Sequence, residues 1–159
     1  MALIKGVKRN QGFIVQKRNP ENIMSFKDLA KPGISYANRQ RGAGTRILFD
    51  YHLKLDGIEA TDIIGYKREL NTHMAVATAV KSGSATTGLG VYSAAKAMDL
   101  DFVDITFEDY DFLISFELLE DKRVKNFIDI LKSPEFQERV NRLGGYKFEG
   151  TGDIIILGN

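Results

Sequence analysis

Residues 38 to 46 read Asn-Arg-Gln-Arg-Gly-Ala-Gly-Thr-Arg, and this glycine-rich stretch decides how the fold is interpreted. The segment before it, 33–37, has the character of a short strand, and apolar residues recur after it at helical spacing. A strand, a tight turn and a helix in this order direct unpaired backbone N–H groups and the positive end of the helix dipole to one point. The sequence therefore predicts a helix that begins at or beside Thr45, with a small oxyanion bound at its start. The alternative is a plain strand–helix turn in which Thr45 caps the helix.

The composition describes a chain with a substantial core and no strong charge. The 159 residues are 43% hydrophobic, and 22 basic against 21 acidic residues give a formal net charge of +1. This balance does not indicate general attraction to nucleic acid or to an acidic membrane surface. No apolar run approaches the roughly 20 residues that span a bilayer, and the first nine residues lack the features of a signal peptide. We expect a cytoplasmic protein or an excised domain that uses no cofactor.

Strand-like and helix-like segments alternate along the chain, which is typical of an α/β fold with helices on both faces of a mostly parallel sheet. Strands are predicted at 12–15, 34–37, 63–66, 88–91, 101–105, 110–116 and 154–157. Helices are predicted at 22–29, 45–55, 71–81, 92–97, 123–132 and 133–143.

Two later helix starts carry polar side chains that suit an anion. Thr72 and His73 open one helix, although a capping Thr beside a surface His would look the same. Tyr92 and Ser93 open another and offer two hydroxyls, although an aromatic residue there also fits the rim of a core. No general acid–base pair or activated nucleophile can be assembled, so we expect a binding module and not an enzyme. The predicted ligand-binding residues are Arg39, Gly42, Gly44, Thr45, Arg46, Thr72, His73, Tyr92 and Ser93.

The acidic stretch between Asp99 and Asp111 is interpreted as a solvated face and not as a metal site. Its carboxylates alternate with apolar residues, as on one side of a strand. The absence of Cys excludes disulfides, thiolate metal sites and a cysteine nucleophile, and two histidines are too few for a typical catalytic zinc centre.

A series of short blocks in fixed order resembles a known family. The blocks are Asn-Arg-Gln-x-Gly-x-Gly-Thr-Arg (38–46), Gly-Tyr (65–66), Thr-His-x-Ala-Val-Ala-x-Ala-Val-x-Ser-Gly (72–83), Gly-Leu-Gly-Val-Tyr-x-Ala-Ala (88–95) and Asp-Phe (101–102). Together they resemble the periplasmic-binding-protein-like domain of molybdopterin-biosynthesis proteins and of helix-turn-helix regulators. That domain is a relative of type II solute-binding proteins, including molybdate and tungstate binders. The resemblance runs from about residue 12 to 152.

This resemblance implies a two-lobed receptor that clamps an oxyanion such as molybdate or tungstate, or an anionic pterin-like molecule, between helix N-termini. Residues 1–159 would form one ligand-binding domain of the sensor or substrate-binding kind. Within it, 33–109 would be the second lobe, and 12–32 and 110–152 the hinge and return segments of a partial first lobe. At Thr86 the family usually has Asp, so a hydroxyl would replace a carboxylate near the cleft.

A partial first lobe also implies a partner. We expect a homodimer, or an association with a missing first-lobe, catalytic or DNA-binding domain. This partner would cover the apolar segments Phe13 to Val15 and Ile154 to Leu157.

Two other functions fit parts of the sequence. Arg39 to Gly44 also matches the loop with which acyl-CoA-dependent N-acetyltransferases hold a pyrophosphate, by the same use of backbone donors at a helix start. A structural or regulatory module without a ligand is the remaining alternative.

Overall fold

The computed structural model describes residues 1–158, which contain seven strands and five α-helices. The strands are β1 (Ala2–Val15), β2 (Asn38–Arg39), β3 (Glu69–Leu70), β4 (Gly88–Val91), β5 (Asp101–Ile114), β6 (Tyr146–Lys147) and β7 (Ile154–Ile156). The helices are α1 (Gly44–Asp56), α2 (His73–Lys81), α3 (Tyr92–Ala97), α4 (Lys122–Lys132) and α5 (Pro134–Leu143), with short 3-10 helices at Phe26–Ala30, Ala60–Asp62 and Phe116–Glu120. Across these 158 residues, no helix combines the length and the apolar character needed to cross a membrane.

The main sheet is antiparallel, so the prediction of a mostly parallel sheet is wrong. Strand β1 lies between β4 and β5 and pairs antiparallel with β4, β6 and β7. Within residues 1–158, parallel pairing occurs between β2 and β3 and at isolated bridges at Ser35–Ile64 and Tyr36–Thr87. The alternation of strands and helices between 34 and 97 does produce parallel neighbours. Those strands are only two to four residues long, however, whereas β1 has 14 residues and makes most of the pairing.

Two long strands were only partly predicted from the sequence. The prediction split β5 in two because Thr106 to Asp109 is mostly polar, and it began β1 at residue 12 because charged residues precede it. The structure pairs these charges across the strands: Lys8 Nζ lies 2.9 Å from Asp109 Oδ1, and Arg9 binds Glu108. Opposite charges on neighbouring strands stabilise a sheet in place of apolar contacts.

The chain groups into two compact units: residues 11–106, and a terminal unit formed by 1–10 with the described part of 107–159. Residues 12–32 belong to the 11–106 unit. Phe13, Ile14 and Val15 are at most 2% exposed in its cores, so the prediction that they need cover from another chain is wrong. Which unit corresponds to which lobe of a receptor stays a prediction.

The predicted helices are confirmed with small shifts at their ends, except that the helix predicted at 22–29 is a shorter 3-10 helix at Phe26–Ala30. Helix α1 ends at Gly57, whose φ of 66° provides the left-handed residue that terminates many helices. Helix α2 is capped by the Thr72 hydroxyl, which accepts from Ala75 N–H at 2.9 Å. Helix α5 begins at Pro134 after the Ser133 cap, since a missing N–H costs nothing in a first turn.

The terminal unit buries few apolar side chains. Ala2, Ile4 and Leu131 are buried, whereas Ile154, Ile155 and Ile156 of β7 are 44–55% exposed although their backbones pair with β1. That a partner covers this segment stays a prediction.

Candidate anion site

The glycine turn brings free backbone donors to the start of α1. Gly42 has a φ of +87°, which glycine adopts without strain, and a Cβ there would meet no atom within 4 Å. Ala43 occupies the N-cap position and its side chain caps nothing. Within residues 1–158, the N–H groups of Gly44 and Thr45 have no backbone acceptor, as expected in a helical first turn. The turn therefore places two amide donors without a backbone acceptor at the positive end of a 13-residue helix.

Thr45 is the second residue of α1 and not its cap, so its side chain turns inward. It is 3% exposed, and its hydroxyl lies 3.0 Å from Nε2 and 3.2 Å from Oε1 of the fully buried Gln11. This contact holds the start of α1 against β1. The backbone N–H of Thr45 stays a predicted contact for an anion, whereas its hydroxyl is already engaged by Gln11.

Arg46 stabilises the turn from inside. Its Nε donates to both carboxylate oxygens of Asp50, at 3.1 and 2.9 Å, and its Nη1 donates to the carbonyl oxygen of Arg39 at 3.0 Å. The guanidinium also stacks over the Tyr66 ring at 4.5 Å. Burial lowers the pKa of Arg46, but hydrogen bonding and charge contacts with Tyr66 and Asp50 outweigh burial and leave the pKa above its ordinary value. Arg46 thus positions the backbone of residue 39.

Buried Arg39 and half-buried His73 form a pair between the starts of α1 and α2. Arg39 is 8% exposed, and its Nη1 lies 3.0 Å from His73 Nδ1. A guanidinium can only donate, so Nδ1 accepts and the imidazole proton sits on Nε2. Arg39 also donates to Gln40 Oε1 at 3.1 Å and to the Asn71 carbonyl oxygen at 3.3 Å. The pair therefore places a fixed positive charge and a neutral imidazole with an N–H donor beside two helix starts.

The two pairs, Gln11–Thr45 and Arg39–His73, lie at the same end of β4. Gln11 is the cross-strand partner of Val91. A Cβ on the neighbouring Gly90 would lie 3.5 Å from His73 Nδ1 and only 2.7 Å from Ile14 Cδ1. The carboxyl end of β4 thus separates the two pairs, and only glycine fits at position 90 without a shift of its neighbours.

Thr72, Tyr92 and Ser93 are the remaining predicted ligand-binding residues. Thr72 is exposed and its hydroxyl serves as the cap of α2. Tyr92 packs edge-on against Phe102 at 5.4 Å and lines a depression of about 380 Å³ with Lys17 and Lys96. Ser93 follows it on α3 and is half-buried. A contact of Tyr92 or Ser93 with the anion stays a prediction.

Thr86 lies at the other end of β4 from the helix starts. It precedes the strand, and its hydroxyl accepts from Ser35 N–H at 3.0 Å. That this position lies near a ligand cleft stays a prediction.

Sequence reasoning missed Gln11 and the carboxylate of Asp50. Gln11 stands directly before the apolar run 12–15, where a buried amide must find a partner, and that position was the available signal. Asp50 follows Arg46 at helical spacing, which predicts an ion pair. No group of three His, Asp or Glu residues that could hold a metal occurs within residues 1–158.

Comparison with known proteins shows the family to which the chain belongs. A model of the PBP superfamily domain matches residues 1–132. Uncharacterized protein YvgK of Bacillus subtilis (strain 168) is 36% identical over 154 residues, which cover 97% of this chain and 49% of YvgK. An uncharacterized protein in the 5′ region of the ferredoxin 2Fe-2S gene of Clostridium pasteurianum is 34% identical over 110 residues, 69% of this chain and 97% of that protein. The chain thus spans about half the length of YvgK.

Solved structures with a similar fold include anion-binding proteins. The sulfate-binding protein SubI of Mycobacterium tuberculosis H37Rv has a TM-score of 0.64 at 13% identity, covering 89% of this chain and 57% of SubI. A substrate-binding protein assigned to a phosphate ABC transporter of Clostridium perfringens, with bound phosphate, has a TM-score of 0.62 at 17% identity. The match covers 89% of this chain and 69% of that protein. A substrate-binding domain assigned to a molybdenum ABC transporter of Clostridium difficile has a TM-score of 0.60 at 17% identity. The match covers 91% of this chain and 66% of that domain. At these identities the likeness concerns the fold.

Proposed function

This chain belongs to the PBP superfamily, and from that premise we propose that it is a binding module for a small oxyanion such as molybdate or tungstate. The anion would lie at the starts of α1 and α2, against the N–H groups of Gly44 and Thr45. The observation that carries this proposal is the part-buried Arg39–His73 pair, which lies between these two helix starts.

The donor set suits a compact anion. Backbone N–H groups at a helix start and an imidazole N–H donate and do not accept, and the Arg39 guanidinium adds a positive charge beside them. Charge-assisted hydrogen bonds of this kind are roughly twice as strong as neutral ones. Arg46 and Thr72 contribute by fixing the turn and capping α2, and Tyr92 and Ser93 remain predicted contacts from α3. The same donors would also bind the anionic end of a larger ligand, such as an anionic pterin-like molecule.

The acyl-CoA alternative loses its main contacts. Arg39 is occupied by Gln40, His73 and Asn71. Arg41, which would be the second cation of a pyrophosphate loop, lies 3.8 Å from Glu69. We propose that acetyl-CoA neither binds nor is turned over.

A module without a ligand is the second candidate, and one observation favours it. The Thr45 hydroxyl and the Arg46 guanidinium are both used inside the protein, by Gln11 and by Asp50. If these contacts exist only to hold the turn, no anion will stabilise the chain.

The terminal unit is proposed to need further polypeptide. The chain spans about half of YvgK and 57–69% of the solved structures described above. Exposed apolar residues such as Ile155 and Ile156 would then be covered by a section that corresponds to the rest of the first lobe.

A thermal-shift screen tests the proposed ligand class. The set is molybdate, tungstate, sulfate, phosphate, a pterin and acetyl-CoA, with chloride at equal ionic strength as the control. A ligand that binds only the folded state adds about 2.7 kcal/mol at 100 times its Kd. We expect an upward shift with a tetrahedral oxyanion and none with acetyl-CoA. A shift with acetyl-CoA alone would revive the acetyltransferase alternative, and no shift at all would favour the module without a ligand.

A further inference from the structure

The Gly65–Tyr66 pair belongs to the sequence blocks that resemble the family, yet it is not among the predicted ligand-binding residues. Gly65 has a φ of +90°, and a Cβ there would lie 2.3 Å from the carbonyl oxygen of Tyr36. Only glycine therefore allows the chain to pass this close to residue 36. The N–H of Tyr36 also donates to the carbonyl oxygen of Ile64 at 2.8 Å. These contacts fix residues 64–66 against the segment that leads into the glycine turn.

The side chain of Tyr66 holds the part of α1 that follows the glycine turn. Its hydroxyl donates to Asp50 Oδ1 at 3.0 Å, and its ring lies under the Arg46 guanidinium at 4.5 Å. Asp50 also accepts from Arg46, so the three side chains contact one another. A cation is attracted to the face of an aromatic ring, and more strongly when it is shielded from water. The Arg46 side chain is only 5% exposed, so Tyr66 fixes its position, and Arg46 in turn donates to the carbonyl oxygen of Arg39.

The backbone of Tyr66 holds the chain that enters the turn. Asn38 is fully buried, and its Nδ2 donates to the Tyr66 carbonyl oxygen at 2.9 Å. Its Oδ1 accepts from the Arg39 N–H at 3.0 Å. A buried amide that loses such a partner is left with an unpaired polar group, which is costly. The Tyr66 carbonyl oxygen thus keeps residues 38 and 39 in place, and one residue holds the chain on both sides of the glycine turn.

We propose that Tyr66 is a positioning residue of the anion site. It fixes the chain before the turn through Asn38 and after the turn through Arg46. The backbone donors of the turn and the Arg39 side chain then keep their positions before the anion arrives. Donors that are already held in the binding geometry reduce the cost of ordering them when the ligand binds. Tyr66 acts through these residues and does not itself contact the anion, and this role rests on the proposed oxyanion function.

Variants at position 66 separate positioning from packing. Tyr66 is half-buried, and its ring centre lies 6.1 Å from that of Phe49. Tyr66→Phe keeps this packing and the ring under Arg46, but it removes the hydroxyl that donates to Asp50. Tyr66→Leu removes the ring as well. Tyr51→Leu is the matched control, because it makes the same substitution in the same unit at a tyrosine that is 58% exposed.

Amide hydrogen exchange tests the positioning without any ligand. The N–H of Gln40 donates to the Leu70 carbonyl oxygen at 3.1 Å, and the N–H of Ala43 donates to the Gln40 carbonyl oxygen at 3.2 Å. These two turn amides report on the glycine turn. The N–H of Leu100, which donates to the Ala95 carbonyl oxygen at 2.9 Å, is a reference amide elsewhere in the 11–106 unit.

The expected result is a selective loss of protection in the turn. We expect Tyr66→Leu to speed exchange of the two turn amides about tenfold relative to the reference amide, because the turn opens locally. Tyr66→Phe should speed it less, and Tyr51→Leu should leave the ratio unchanged. Equal acceleration of all three amides would show a general loss of stability and overturn the proposal. Unchanged exchange in Tyr66→Leu would overturn it as well.

Calorimetric titration with molybdate tests the consequence for binding. We expect Tyr66→Leu to bind molybdate about tenfold more weakly than the wild type. Tyr66→Phe should bind a few-fold more weakly, and Tyr51→Leu should bind as the wild type does. Equal affinities of the wild type and Tyr66→Leu would contradict the positioning role. A wild type that binds no oxyanion would contradict the proposed function instead, and the exchange ratio then decides whether Tyr66 positions the turn.

Discussion

The 11–106 unit buries many of its apolar side chains, whereas the terminal unit leaves most of its own partly or fully exposed. The first contains two clusters of eleven buried apolar residues each. In the second, Ala2, Ile4 and Leu131 are the buried apolar residues within the described chain. Both units draw on β1 and β5, so strand pairing alone does not make a core. A unit with its own core can hold buried polar pairs such as Gln11–Thr45 in place, since displacing them would disrupt its packing.

The largest expected effect is on core packing. Phe49 is fully buried and stacks on Tyr36 at 4.1 Å. Phe49→Ala should lower the free energy of unfolding by about 3–5 kcal/mol, because it removes contacts and leaves a cavity. The matched change Phe116→Ala, at a terminal-unit residue that is 54% exposed, should cost less than about 1 kcal/mol. Denaturant unfolding measures both, and equal losses would remove the contrast between the units.

A smaller effect concerns two capping aspartates, one in each unit. The Lys31 ammonium and N–H groups of Met24 and Ser25 hold the pKa of Asp28 well below its ordinary value, and Arg123 lowers that of Asp121 to about 2. Asp28 anchors the 3-10 helix that places Phe26 in the core. We expect Asp28→Asn to cost about 1 kcal/mol at pH 7, and Asp121→Asn, on the exposed start of α4, to cost less.

The pH dependence of these variants follows from the sign of the shifts. A carboxylate whose folded pKa is depressed contributes stability above its ordinary pKa of about 3.9, and loses it as the pH falls toward the folded value. The stability gap between wild type and Asp28→Asn should therefore narrow below about pH 4. A gap that widens on acidification would show that Asp28 is stabilised by something other than its charge.

The sequence predicted the helices well and the sheet less well. Helix starts at Gly44, His73, Tyr92 and Pro134 were readable because glycine, Thr72 and Ser133 act locally through caps and turns. The pairing of β1 was not readable, because its charged first half is satisfied by Glu108 and Asp109, about a hundred residues away. Strand partners depend on such long-range contacts, which a local pattern does not contain.

The sequence predicted where the candidate site lies better than it predicted what each of its residues does. The glycine turn and the Thr72–His73 start were identified, and the structure places Arg39 against His73. The inward direction of Thr45 was not predicted, because it depends on Ala43 and not Thr45 taking the cap position. The role of Arg46 was missed because it depends on Asp50 and on Tyr66 from a later segment.

The central claim is that an oxyanion binds in the 11–106 unit between the starts of α1 and α2. Calorimetric titration of molybdate into the wild type, His73→Phe and His52→Phe tests it most directly, because these are the two histidines of the chain. His52 stacks on Phe26 outside the site, so His52→Phe should bind as the wild type does. His73→Phe removes an N–H donor and the partner of Arg39, and we expect at least tenfold weaker binding, about 1.4 kcal/mol. No saturable binding of molybdate to the wild type, or equal losses in both variants, would contradict the account.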